Sequence, residues 1–228
     1  MATAAGPLNC AKLLTHHASR LNLGVILLGA GASTRMGRPK LLLPWGTTSV
    51  LGHLIAQWRT LRAKQIAVVC AAGGTLPAEL DRLAVGPQDR ILNPHPEQGM
   101  FSSIQCAARW PGWNADITHW AIALGDQPHL RPDTLRALLV FAAAHPESIC
   151  QPSRYARPRH PVLLPAGAFA RLKDSCDAHL KQFLRDSVPP VQLCELDDPG
   201  LDLDLDQPSD YEAALKLAAR QDEHGVNP

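Results

Sequence analysis

The chain has 228 residues, of which 46% are hydrophobic and 19% charged, and a formal net charge of +1. That composition supports a packed core and argues against disorder. Near-neutral charge argues against a general nucleic-acid binder, so any anion site must be local. Six cysteines stand at 10, 70, 106, 150, 176 and 194, no two closer than eighteen residues. This spacing argues against a disulfide framework or a zinc site and for a reducing compartment.

Residues 1–22 lack a basic segment followed by a continuous apolar run. They read as a loose extension ahead of a single domain over 23–228. The longest apolar run, Ala137 to Ala144, is too short to span a bilayer. A cytoplasmic protein is expected, with no membrane partner.

Gly24 to Leu28 reads as a buried strand. Leu51, Leu54, Ile55, Trp58 and Leu61 then fall at helical spacing. Ile66 to Ala71 is a second strand, closed by Gly73-Gly74. A short helix over Pro77 to Leu83 and a strand at Arg90 to Leu92 come next. A helix over Met100 to Trp110 follows, burying Phe101, Ile104 and Ala108. Ile117 to Leu124 is a strand and Pro132 to Ala144 a helix. Short strands follow near 148–151, 161–164 and 191–196, and a last helix covers about 208–220. The alternation over the first two-thirds implies a parallel sheet wrapped by helices, an α/β fold. Right-handed crossovers bring the strands' carboxyl ends to one edge, where such sheets bind ligands.

Four stretches at that edge carry candidate chemistry. Gly29, Gly31 and Gly37 can take positive φ and let backbone amides approach a ligand, with Arg35, Arg38 and Lys40 beside them. The choice is between a polyphosphate cradle and a solvated surface turn, and placement after the first strand favours the cradle. No Gly-Lys-Ser/Thr closes the loop, so it is not a Walker A. Pro39 and Pro44 keep the segment extended, so it is not the dinucleotide fingerprint either. Asp126, in "LGDQP", is either a magnesium ligand or a turn aspartate. In "LDLDLD" (201–206), strand period puts Asp202, Asp204 and Asp206 on one face; Asp204 or Asp206 could add a metal ligand, or Asp206 could only cap the following helix. Gly99 and Ser102-Ser103 could meet a nucleotide or merely cap a helix. His160 in "RPRHPV" could touch an anionic second substrate or be structural.

"LGAG" (28–31), "RMG" (35–37) and "KLLLPW" (40–45) resemble the signature of the MobA-like nucleotidyltransferases. "QGMFSS" (98–103), "LGDQP" (124–128), "HPVLL" (160–164) and "DLDQPSDY" (204–211) recur in that family's order. Within it the set is most similar to molybdenum cofactor cytidylyltransferases, over roughly residues 24–215. The resemblance implies a three-layer α/β/α Rossmann-like fold with a mostly parallel mixed sheet. It implies transfer of CMP from CTP to the phosphate of a molybdopterin-type cofactor, with release of pyrophosphate and Mg2+, or Mn2+ in its place, as the metal. It places Leu28, Gly29, Ala30, Gly31, Gly73, Gly99 and Ser102 by the nucleotide. Arg35, Lys40 and Asp126 are implied in catalysis, Asp126 with Asp204 or Asp206 at the metal, and His160 toward the acceptor. A molybdenum hydroxylase or its delivery chaperone is the implied protein partner.

Three positions depart from the family's pattern. Gly29 stands where alanine is usual. Arg159 stands where glycine usually precedes His-Pro. "DSCDAHLKQ" (174–182) stands where Gly-Asp-x-Gly-Ala-Arg is expected. The alternatives left open are a guanylyltransferase, a transferase for another phosphorylated acceptor, and a non-catalytic cofactor-delivery chaperone. A nicotinamide-dependent oxidoreductase is disfavoured, because no helix follows the glycines directly and no ribose-binding acid follows the second strand.

Overall fold

The computed structural model describes residues 21–31 and 33–225. The proposed extension and Cys10 lie almost wholly outside them. Strand β1 (Leu23–Leu28) lies inside the sheet. It pairs in parallel with β4 (Gln65–Ala71) on one side and β6 (His119–Leu124) on the other. Outward from β4 lies β5 (Arg90–Asn93), also parallel. Outward from β6 lie β9 (Val162–Pro165), β7 (Cys150–Arg154) and β10 (Gln192–Glu195), giving the order β10-β7-β9-β6-β1-β4-β5. Only β9 in that path runs antiparallel to its neighbours. A two-residue strand β8 (Arg157–Pro158) folds back on β7 as a hairpin. A separate short hairpin joins β2 (Pro44–Trp45) to β3 (Thr48–Ser49).

Alternation along β1 divides the core. Val25 and Leu27 point to one face and Ile26 to the other, all essentially fully buried. The first face is covered by α1 (Val50–Thr60), α2 (Leu76–Arg82), α4 (Pro132–Ala144) and α7 (Pro208–Gly225). The second is covered by α3 (Met100–Arg109), α5 (Ala166–Leu172) and α6 (Leu180–Arg185). This is a three-layer α/β/α domain with a mixed, mostly parallel sheet. The helical stripe expected in α1 is its buried face: Leu51, Leu54, Ile55 and Trp58 are each 2% exposed or less. Among the described residues no helix is long and apolar enough to cross a membrane. None of the five described cysteines is in a disulfide, and burial pushes Cys70 up to about 11 and Cys150 up to about 12.

Two expectations are corrected. No strand forms at "LDLDLD". Residues Pro199–Asp202 make a 3₁₀ turn and the rest is irregular. The reason is local: Asp198 caps the Pro199-Gly200 turn by accepting from Gly200 N–H, and the chain enters a 3₁₀ turn there instead of extending, with Leu201 and Leu205 buried. The stretch from 33 to 44 is not uniformly extended either. It makes 3₁₀ turns at Thr34–Met36 and Lys40–Leu42, with extended backbone at Pro39 and at Leu43 leading into β2 at Pro44.

Burial holds His119, His129 and His160 below the usual histidine range. As pH falls below about 6.5, the unfolded chain takes up protons that the folded chain refuses. The urea midpoint is therefore expected to drop between pH 7 and pH 5.5, and His119→Gln with His129→Gln to flatten that slope. A midpoint that rises on acidification over this window would contradict the assignment.

Candidate active site

Five segments meet at the carboxyl edge of β1, β4 and β6 around a cavity of about 650 Å³. Its glycine-rich wall follows from β1. Gly29 donates its N–H to the Val69 carbonyl at 2.9 Å, so the chain leaves the strand while still tied to β4. Of Gly29, Gly31 and Gly37, only Gly37 takes positive φ (70°), and Ser33 takes the other left-handed position (φ 51°). Ser33 Oγ accepts from the Lys40 amide at 3.2 Å, closing the loop on itself. Buried Met36 and Leu41 anchor it to the core. Among the described residues no α-helix begins after β1 until Val50, consistent with excluding the dinucleotide fingerprint.

The opposite wall is the turn after β6. Gly125 sits where a Cβ would lie 2.7 Å from the Leu28 carbonyl oxygen and 2.8 Å from Leu41 Cδ2. The absence of a side chain lets Asp126 come beside the glycine loop. Gly125→Ala is expected to cost about 1–3 kcal/mol through overpacking, and to lower turnover by displacing Asp126. Urea unfolding and a turnover assay check it; a variant as stable and as active as the native chain would contradict this account.

Charge concentrates where the walls meet. Lys40 Nζ lies 2.5 Å from Asp126 Oδ2 and 3.8 Å from Asp206 Oδ1. Arg35 reaches Asp206 Oδ2 at 3.0 Å from a more exposed position. Asp204 Oδ1 accepts from Gln127 Nε2 at 2.9 Å. Asp204 keeps solvent contact, yet surrounding protein, then the Asp126 and Asp206 charges, raise its carboxyl above the usual range. The acidic loop is stitched to the turn by Leu205 N–H donating to the Asp126 carbonyl at 3.1 Å. The capping role weighed for Asp206 falls to Asp210, whose carboxylate accepts from the amides of Asp206 and Gln207 at 3.2 and 2.9 Å. Asp202, expected on the same face, turns away to Arg154 and Arg159.

Leu28, Gly29, Ala30, Gly31, Lys40, Gly99 and Asp126 all line the cavity. Arg35 and Asp206 adjoin it through Lys40. Gly73 and Ser102 are not among the lining residues, but their neighbours Gly74 and Ser103 are. Ser102 Oγ donates within its own turn, to the carbonyls of His95 and Gly99, and accepts from Asn93. Gly99 opens α3 at φ 87°, ψ −177°, a conformation that favours glycine. His160 lies beyond Asp126, its Nδ1 3.4 Å from the Ile122 carbonyl. Burial lowers its pKa, and the Ile122 carbonyl and Asp126 oppose that shift. Sequence reasoning missed Cys70, Leu76 and Met100 as lining residues. Their apolar character read only as core.

A divalent cation fits this donor set. Asp126 Oδ1 is buried without a hydrogen-bond partner, and Asp204 and Asp206 approach from the facing loop. Among the described residues no three His, Cys, Asp or Glu side chains are grouped to hold an ion by themselves. A hard cation here would complete its shell with water and ligand oxygens, as magnesium commonly does.

Residues 25–191 match the MobA-like NTP transferase domain. Bifunctional protein GlmU of Paracidovorax citrulli is 35% identical over 120 residues, 51% of this chain but 25% of GlmU. The matched stretch thus spans about a quarter of that relative. A solved structure of the Rv0371c homolog from Mycobacterium sp. strain JC1 superposes with a TM-score of 0.70 at 24% identity, covering 88% of this chain and 98% of that one. Rv0371c of Mycobacterium tuberculosis H37Rv in complex with manganese gives a TM-score of 0.63 at 24% identity, covering 86% and 98%. These two likenesses show the fold.

Proposed function

The chain belongs to the MobA-like NTP transferase family and is a nucleotidyltransferase, and we propose that it transfers CMP from CTP to the terminal phosphate of a molybdopterin-type cofactor. The observation that carries this is convergence. The segments 28–31, 40 and 124–126 that resemble the cytidylyltransferase signature line one cavity with Gly99, and 204–206 and His160 flank Asp126 beside it. The whole of 23–228 acts as one domain in this proposal, in the cytoplasm. Its dinucleotide product would pass to a molybdenum hydroxylase or its delivery chaperone.

The acceptor's phosphate oxygen attacks the α-phosphorus of CTP in line. A P–O bond to the acceptor forms as the bond to the β-phosphate breaks, and pyrophosphate leaves with that electron pair. The nucleophile is already ionised, so positioning and charge neutralisation suffice. The loop amides at Ala30 and Gly31 face the triphosphate, while the Gly29 amide keeps its bond to the Val69 carbonyl. Lys40 offsets charge at the α-phosphate and Arg35 on the departing pyrophosphate. Asp126 with Asp204 or Asp206 would hold a divalent cation, Mg2+ or Mn2+, which supplies further charge neutralisation across the phosphates. His160 stands toward the acceptor.

The test is pyrophosphate release with Mg2+ and molybdenum cofactor, comparing CTP, GTP, ATP and UTP. CTP-selective release is expected. GTP selectivity would move the assignment to the guanylyl reaction. Release with none of the four, despite tight nucleotide binding, would mean that the acceptor is another phosphorylated molecule. That second reading is favoured by Arg159, which here engages Asp202 where the family usually has glycine.

A further inference from the structure

The loop that carries Asp204 and Asp206 is irregular, with no strand ladder to hold it. It brings two carboxylates toward a third, Asp126, and like charges at such range repel. Leu205 N–H on the Asp126 carbonyl, Gln127 on Asp204, and Lys40 and Arg35 on Asp206 hold its carboxyl-terminal half. At its near end Asp202 accepts two guanidinium groups, one on each oxygen. Arg159 meets Oδ1 through Nε at 2.8 Å and Nη2 at 2.5 Å, and Arg154 meets Oδ2 through Nη1 at 2.7 Å. The three side chains are partly screened by one another and by the hairpin: Arg154 is 17% exposed, Arg159 26% and Asp202 31%. Forked, partly desolvated contacts of this kind fix geometry better than exposed ion pairs do. Arg154 also lies 4.5 Å over the Tyr155 ring, which restricts its own freedom.

Topology gives these contacts a purpose. β7 runs parallel to β1 and β6, because β9 between them is antiparallel to both neighbours. The β7–β8 hairpin therefore leaves the sheet at the edge where Asp126 lies. Arg159 immediately precedes His160, whose ring lies against the end of β6. Asp202 is two residues from Asp204 and four from Asp206.

We propose that Arg154 and Arg159 are positioning residues which, through Asp202, hold Asp204 and Asp206 toward Asp126 and so set the site's affinity for a divalent cation. This rests on the reading of those aspartates as the metal ligands.

The test titrates Mn2+ alone into the native chain, the Arg154→Ala/Arg159→Ala double variant, Arg159→Lys and Asp126→Asn, followed by electron paramagnetic resonance. CTP binding in EDTA and thermal unfolding are measured beside it. The double variant is expected to bind Mn2+ about tenfold more weakly, the scale of losing a group that orients metal ligands. Its Mg2+ requirement for pyrophosphate release should rise about as much, with CTP binding in EDTA unchanged. Arg159→Lys should recover part of the loss. A double variant that binds Mn2+ like the native chain, where Asp126→Asn does not, overturns the clamp alone. Native-like Mn2+ binding by Asp126→Asn as well overturns both the clamp and the metal assignment. Equal losses of Mn2+ and metal-free CTP binding would show general collapse of the site and also overturn it.

Discussion

Lys40→Ala is expected to split two properties that usually fall together. Turnover should drop by about a hundredfold or more, the scale of losing one charge-stabilising contact in the transition state. Binding of Mn2+ without nucleotide should instead tighten, by about tenfold or more. The reason is where the ammonium sits: 2.5 Å from Asp126 and 3.8 Å from Asp206, at a place less than one-fifth exposed on Lys40 and Asp126. It competes for the carboxylates that a divalent cation would use, and a neighbouring cation shifts such ionic equilibria by one to three powers of ten (roughly,). With CTP present the difference should shrink, because the phosphates offer Lys40 another partner. Asp126→Asn should behave oppositely in the metal assay, losing both turnover and Mn2+ binding. Isothermal titration with Mn2+ with and without CTP, beside pyrophosphate release, reads all four quantities. Weaker Mn2+ binding by Lys40→Ala in the absence of CTP would sink the competition, and native-like turnover in both variants would sink the catalytic assignment.

The second large effect concerns stability. Asp198 is fully buried and anchors the far end of the acidic loop. One carboxylate oxygen accepts from Gly200 N–H at 2.9 Å; the other accepts from Arg131 N–H at 3.1 Å and Thr134 Oγ1 at 2.7 Å. It thereby ties the start of α4 to the 3₁₀ turn, and the Arg131 guanidinium adds a partly screened charge at 3.4 Å. Asp198→Ala strands these donors in a dry site, and a loss of about 3 kcal/mol is expected. Urea unfolding should show a lowered midpoint with unchanged slope. Asp198→Asn, which keeps an acceptor oxygen, should lose less. A loss under about 1 kcal/mol for the alanine variant would mean that the loop is held elsewhere.

Asp126 and Asp198 show why part of the site was legible in the sequence and part was not. Asp126 and the glycine loop were found because each directly follows a strand whose apolar run is unmistakable, and strand ends in a parallel sheet share one edge. Asp198 was missed. Its only local signal is the Asp-Pro-Gly turn, which says nothing of Arg131 and Thr134 more than sixty residues away. Asp202 was assigned to the wrong face for the same reason. A two-residue charge repeat suggested a strand, but the 3₁₀ turn at Pro199–Asp202 and the pull of Arg154 and Arg159 on Asp202 set the backbone instead. The β7–β8 hairpin was also unmarked. Its turn residues Tyr155 and Ala156 adopt φ of 52° and 58° without a glycine or asparagine to announce it.

By itself the sequence determined a parallel sheet wrapped by helices, its central strands, the helices α1, α3 and α4, and the edge at which chemistry collects. Each of these follows from local periodicity, and the wide apolar stripe on each element leaves it one way to bury. Only the tertiary structure decided which charges meet. It put Lys40 on Asp126, turned Asp202 from the cavity toward two arginines, and gave the helix cap to Asp210 so that Asp206 faces Arg35 and Lys40. Those choices depend on the positions of side chains tens of residues apart, after the sheet has brought their strands to one edge, and no spacing along the chain encodes them.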